Sequence, residues 1–157
     1  SAPALIAASI IVPQAMVALI SPSVGRKAQS WGRRPLLMLA FAALALRGSL
    51  FSMTSDPSML VVIQALDGIT AAVFGVMVPL IVADITYGSG HFNLAQGIVG
   101  TATGIGASLS PALAGYASDH FGHDVAFMGL AAVAMVGLAV IWTAMPETKT
   151  SLSQEPA

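Results

Sequence analysis

Five long apolar stretches, separated by short polar breaks, dominate this sequence. They run roughly over residues 3–22, 36–53, 59–85, 94–117 and 125–145. Each approaches or exceeds the ~20 residues that an α-helix needs to cross a hydrocarbon layer ~30 Å thick. We therefore predict an all-α integral membrane bundle of about five transmembrane helices in residues 1–146, followed by a polar tail in residues 147–157.

The composition argues against a soluble protein. Of the 157 residues, 56% are hydrophobic and 8% are charged, whereas an ordinary soluble domain has roughly 25% charged residues. In a soluble bundle these helices would have no polar face to turn towards water. The net charge of −1 gives no reason to expect a nucleic-acid partner, and the absence of cysteine excludes disulfides and thiolate metal sites.

No pattern typical of an enzyme occurs in the sequence. A Gly-x-Ser-x-Gly nucleophile elbow and a Gly-x-x-x-x-Gly-Lys-Ser/Thr phosphate loop are both missing. The turn at residues 119–124 contains two His and two Asp, but their spacing matches no standard metal site, and an aqueous turn explains the same polarity. We expect no enzymatic activity, no cofactor and no bound metal.

The basic residues predict an orientation in the membrane. Four of the six lie between Arg26 and Arg34, and Lys149 lies in the tail. Because basic segments stay on the cytoplasmic side, both segments are expected there, and five helices place them on the same side. We predict a multi-pass protein of the cell membrane with a cytoplasmic C-terminus.

Two ionisable residues fall inside predicted helices, where charges are costly and mark candidate functional sites. Arg47 lies about 9 Å from the outer end of the second helix, and Asp67 lies about 13 Å into the third. These helices are joined by a short turn, so the two charges can approach. They form either a structural ion pair or a site where Asp67 accepts a proton or cation. Gln64, Gln14 and Thr70 are further candidates for a polar cavity or a bridge between helices.

Small residues recur on the fourth helix at intervals of four. The stripe consists of Gly100, Gly104, Ser108 and Ala112. Such a stripe lets a neighbouring helix approach closely, either in simple packing or in a contact that moves during a conformational cycle. Gly115 adds flexibility nearby, and Pro111 removes a backbone hydrogen bond that must be replaced within the protein.

The segment between the first two helices carries Gly25, Gly32, Arg33 and Arg34. These residues resemble the signature loop of the Major Facilitator Superfamily, which reads Gly, three residues, Asp, a basic residue, any residue, Gly, Arg, Arg. Gln29 stands in the Asp position, so the resemblance implies no charge-based lock within the loop. The two glycines are expected to allow a tight loop, and the arginines to bind lipid phosphates or cap helix ends.

Further elements similar to those of the family follow in the family's order. They are residues 64–68, similar to an Arg-x-x-Gln-Gly pattern, residues 110–115, similar to Gly-Pro-x-x-Gly-Gly, the turn at residues 119–122, and the Pro-Glu-Thr at residues 146–148. The resemblance covers essentially the whole chain, as helices eight to twelve of a twelve-helix transporter. It implies that seven helices, including the N-terminal half, are missing. The start without Met is also expected for the middle of a longer protein.

The resemblance implies a secondary-active transporter that works by alternating access, is coupled to protons and carries a small organic solute or drug. The lipid bilayer, the missing N-terminal half and the solute are its expected partners. In this family the tenth helix lines the cavity and the ninth is peripheral, which favours Asp67 over Arg47 as the transport residue. Two alternatives are a truncated or assembly-type membrane protein that does not transport, and an oligomeric channel.

Overall fold

The computed structural model describes residues 2–148, and that range contains five α-helices. They are α1 (Ala2–Trp31), α2 (Arg33–Met53), α3 (Pro57–Ile85), α4 (Phe92–Phe121) and α5 (His123–Ala144). Each helix is long and apolar enough to cross a membrane. The predicted fold class, an all-α membrane bundle of about five helices, is confirmed. Residue 1 and residues 149–157, including the basic Lys149, lie outside the described range.

The helices pack in an order that differs from their order in the chain. α3 lies against both α1 and α2, α2 also packs on α5, and α5 packs on α4. Apolar side chains fill the junction of α1, α2 and α3 near the end where α1 stops and α2 begins. This core contains Val24, Ala28, Leu36, Leu37, Ala40, Val73 and Met77. The first three helices therefore enclose the main core.

The first helix is longer than the sequence predicts. A break at residues 21–23 and a basic loop after it are expected, but α1 continues through both and ends only at Trp31. Val24 and Ala28 in this stretch are buried in the core, and we attribute the continuation to this packing, which offsets the cost of Pro22 inside a helix. The ends of the other four helices lie within four residues of the predicted ones.

Single glycines separate α1 from α2 and α4 from α5. Gly32 has φ +96° and ψ 174°, and Gly122 has φ +92° and ψ 160°. Only glycine occupies this region of backbone conformation readily. The other two connections are longer and more polar, at residues 54–56 and 86–91.

The small-residue stripe of α4 is not covered by any helix in residues 2–148. Its four residues are exposed, and a Cβ added at Gly100, Gly104 or Gly115 would meet nothing within 4 Å. In this range, α4 has no buried residue at all. The close packing expected from the stripe therefore does not occur among the described helices, and its role in packing or gating stays a prediction.

Glycines elsewhere do bring helices into close contact. A Cβ added at Gly68 of α3 would lie 2.6 Å from the Cβ of Met16 and 2.6 Å from the carbonyl oxygen of Pro13, both in α1. Between α2 and α5, a Cβ added at Gly48 would lie 3.1 Å from the backbone nitrogen of Ala131. Because glycine has no side chain, these two positions allow α1 to cross closely over α3, and α2 over α5.

We expect Gly68→Ala to destabilise the chain by about 1–3 kcal/mol, because the added methyl group meets backbone that cannot move aside without separating α1 from α3. The matched control is Gly75→Ala on the same helix, where an added Cβ meets nothing within 4 Å. Thermal unfolding in detergent measures both. Equal unfolding midpoints for the two variants would contradict the close crossing.

Candidate functional site

Arg47 and Asp67 form an ion pair between α2 and α3. The Nη1 of Arg47 lies 3.1 Å from the Oδ1 of Asp67. Arg47 is six residues from the end of α2 and Asp67 ten residues from the start of α3, so they lie about 9 and 15 Å along their helices from the connecting turn. The approach of these two charges, expected from the sequence, is present in the structure.

Two other side chains also contact the guanidinium of Arg47. Its Nη2 lies 3.5 Å from the Oε1 of Gln64, and its Cζ lies 5.2 Å from the centre of the Phe51 ring. The Arg47 side chain is 27% exposed and the Asp67 side chain is 40% exposed. The carboxylate is thus the more accessible partner, while an amide and an aromatic ring also contact the cation.

The other two cavity candidates do not join this group. Thr70 is buried, and its hydroxyl donates to the carbonyl oxygen of Leu66 in its own helix at 2.9 Å. Gln14 is exposed on α1. Among the hydrogen bonds of the described residues, Gln64 is the one polar candidate that contacts the ion pair.

A second polar cluster surrounds Arg33 at the other end of α2. The Nε of Arg33 lies 2.9 Å from the Oδ2 of Asp84 in α3, and its Nη1 donates to the carbonyl oxygen of Ala28 in α1 at 2.7 Å. The side chains of the ion pair are only 9% and 14% exposed. The Thr148 hydroxyl lies 3.5 Å from the same carboxylate oxygen. This pair is therefore buried and hydrogen-bonded on both sides.

Glu147, which follows α5, caps the first turn of α2. Its Oε1 accepts from the backbone N–H of Arg33 at 2.8 Å, and its Oε2 accepts from that of Arg34 at 3.2 Å. The first N–H groups of a helix have no partner inside it and carry partial positive charge, so a carboxylate stabilises this end. A Cβ at Gly32 would collide with the carboxylate. Glycine is therefore favoured there by its backbone conformation, and a larger residue would also displace the capping carboxylate.

The sequence does not predict this cluster. Because Gln29 occupies the acidic position of the signature, no charge-based contact is expected within this loop. In the structure, the acidic partners of Arg33 are Asp84 and Glu147, which are 51 and 114 residues away in the sequence. One signal was available, because Asp84 is a lone acid at the end of an apolar stretch, on the same predicted membrane face as four basic residues. The tight loop expected around Gly25 does not form, since Gly25 lies inside α1.

The polar residues in the last turn of α4 and the first turn of α5 make local contacts. His120 stacks on Tyr116 with ring centres 4.1 Å apart, and the Nδ1 of His123 hydrogen-bonds the hydroxyl of Ser118. Throughout residues 2–148, no group of three or more His, Cys, Asp or Glu side chains is placed to hold a metal ion. These residues therefore end one helix and start the next.

We expect Asp84→Asn to lower the stability of the chain by about 3 kcal/mol, because it leaves the buried Arg33 guanidinium without its opposite charge. The control is Asp119→Asn, which removes the same charge from an exposed residue at the other end of the bundle. Unfolding midpoints of the purified variants give the comparison. An unchanged midpoint for Asp84→Asn would show that the ion pair contributes nothing.

Comparison with known proteins agrees with this architecture. The family model of the Major Facilitator Superfamily matches residues 2–157. Two uncharacterized MFS-type transporters of Mycobacterium tuberculosis, from strains CDC 1551 and H37Rv, are each 44% identical over 148 residues, which is 94% of this chain and 35% of each relative. The tetracycline resistance protein, class B, of Escherichia coli is 29% identical over 136 residues, covering 87% of this chain and 33% of that protein.

The chain spans about a third of the length of these curated relatives. No solved structure matches it significantly. The family match extends over the whole described range, and the signature residues and the five membrane-spanning helices lie within it. The chain therefore belongs to the Major Facilitator Superfamily.

Proposed function

We propose that the chain is part of a secondary-active transporter that carries a small organic solute by alternating access and is coupled to protons through Asp67. The observation that carries this proposal is the group of Arg47, Asp67 and Gln64 within the apolar spans of α2 and α3, inward of the turn that connects these helices. Ionisable groups at such depth are costly to a membrane protein, which makes a functional role the first explanation for them.

The geometry of the group suits an exchange of partners. While Asp67 is charged, the ion pair with Arg47 holds it, at 3.1 Å. When Asp67 takes up a proton, this attraction is lost, and an unpaired guanidinium in an apolar surrounding would be costly. Gln64 and the Phe51 ring already contact the guanidinium, so Arg47 keeps partners after protonation. In this proposal, protonation loosens α2 from α3 while Gln64 and the Phe51 ring keep their contacts with the guanidinium.

The class of solute is inferred from chemistry and from one relative. The sequence is poor in charge, so a cavity formed with these helices is largely apolar. A relative named for tetracycline resistance shares 29% identity over most of this chain. Both features support an organic, drug-like solute rather than a highly charged one.

We propose that the protein lies in the cell membrane, with the signature segment and the C-terminus on the cytoplasmic side. Arg26, Lys27, Arg33 and Arg34 gather at the end of the bundle where α1 and α3 stop and α2 begins. Glu147 lies at the same end, in contact with α2. The basic residues support the cytoplasmic assignment of this end.

We expect Asp67→Asn in the complete transporter to reduce proton-driven accumulation of solute to the level of vesicles without protein. Exchange of labelled for unlabelled solute, which needs no proton gradient, is expected to persist. Asp119→Asn, an acid in an exposed position, is the control and should leave both activities unchanged. Unchanged accumulation in Asp67→Asn would make Asp67 structural, and absence of any transport by the unaltered protein would favour a non-transporting membrane protein.

The chain has no cysteine, so single cysteines report its orientation without further changes. We expect a membrane-impermeant maleimide to label Ser55→Cys from outside intact cells and Ser30→Cys only after the membrane is opened. Ser55 lies in the turn between α2 and α3, and Ser30 lies near the end of α1. The reverse labelling pattern would overturn the orientation.

A further inference from the structure

An apolar groove opens on the surface of the bundle at the end that carries the basic residues. It has a volume of about 570 Å³ and lies between α2 and α5, next to the last residue of α1. Its lining is formed by Trp31, Arg34, Pro35, Met38, Leu39, Leu138 and Trp142. The groove is therefore apolar along its length and has a cation at the end where the helices meet the membrane surface.

Both tryptophans of the chain border this groove. Trp31 is 53% exposed and Trp142 is 63% exposed, although each has a large apolar ring. An indole combines an apolar body with one N–H donor, which makes it most stable at the boundary between headgroups and acyl chains. Their positions place the mouth of the groove at that boundary.

Two cations lie in or beside the groove: Arg34 belongs to its lining, and Lys27 contacts the Trp31 ring. The Nζ of Lys27 lies 4.0 Å from the centre of the Trp31 ring. The Nη2 of Arg34 donates to the carbonyl oxygen of Trp142, while its Nε is enclosed and has no hydrogen-bond partner among the described residues. The nearby acid Glu147 is directed to the backbone N–H groups of α2. This end of the groove thus places positive charge next to an apolar surface.

We propose that this groove binds one anionic phospholipid. The phosphate lies between Lys27 and Arg34, the indoles of Trp31 and Trp142 flank the glycerol region, and an acyl chain follows the apolar wall along Leu39. The choice of occupant rests on charge complementarity, because a basic pocket between membrane helices selects acidic headgroups. This site is separate from the Arg47–Asp67 group, and its occupation requires neither transport activity nor a particular orientation.

The two tryptophans provide the test, since all tryptophan fluorescence of the chain comes from the groove. The full chain is reconstituted in phosphatidylcholine vesicles that contain a small fraction of phosphatidylglycerol, with bromine atoms on the acyl chains of either lipid. Each cation is expected to contribute about fivefold to the preference. Quenching is therefore expected to show that brominated phosphatidylglycerol binds roughly 25-fold more strongly than brominated phosphatidylcholine.

Variants separate a site from general attraction to the surface. Arg34→Gln and Lys27→Gln should each reduce the preference to about fivefold. Lys27→Gln is informative even if Arg34→Gln unfolds, since the Lys27 contact given above is with the Trp31 ring. Arg26→Gln is the matched control, because Arg26 is exposed and bonds the Ser23 hydroxyl outside the groove. Equal quenching by both lipids, no quenching by either, or an equal loss in Arg26→Gln would each overturn the proposal.

Discussion

The buried guanidinium of Arg33 joins more segments of this protein than any other side chain described above. It pairs with Asp84 at the end of α3 and donates to the backbone at the end of α1. Arg33 is also the first residue of α2, and its backbone N–H donates to Glu147, which follows α5. A charge removed from water is tolerated only when such partners surround it. The ends of α1, α3 and α5 are therefore fixed relative to the start of α2, and the core of the first three helices is closed directly beside them.

Arg47 and Asp67 repeat this arrangement at the other end of the same two helices. α2 and α3 are thus held by one ion pair near each end, but the two pairs differ in environment. The Arg33 pair is at most 14% exposed, whereas the Asp67 carboxylate is 40% exposed. Within the described residues, the Arg47–Asp67 pair is therefore the more accessible of the two, and the Arg33–Asp84 pair is the more enclosed.

The sequence predicts the features that depend on local pattern. Hydropathy alone predicts the five helices. The positions of Arg47 and Asp67 along two adjacent helices are enough to predict that these residues approach each other. It does not predict the partners of Arg33, because contacts across 51 and 114 residues leave no spacing to recognise. It also places the end of α1 too early, because Pro22 and the polar residues after it indicate a break that packing against α2 and α3 overcomes. The uncovered stripe on α4 had no local signal either, since the sequence of a helix does not say where its partner is.

The single glycines that join α1 to α2 and α4 to α5 fix the rotational phase of the helices that follow them. An α-helix turns by about 100° per residue, so one inserted or deleted residue inside α2 ahead of Leu36 would swing the following face of the helix by that angle. Leu36 and Leu37 would then leave the core, and Arg33 and Arg47 would no longer meet their acids on α3 together. Because Gly32 is the only residue between α1 and α2, this connection is too short to compensate for such a rotation. Differences in length among related chains should therefore collect at residues 54–56 and 86–91, and avoid Gly32 and Gly122.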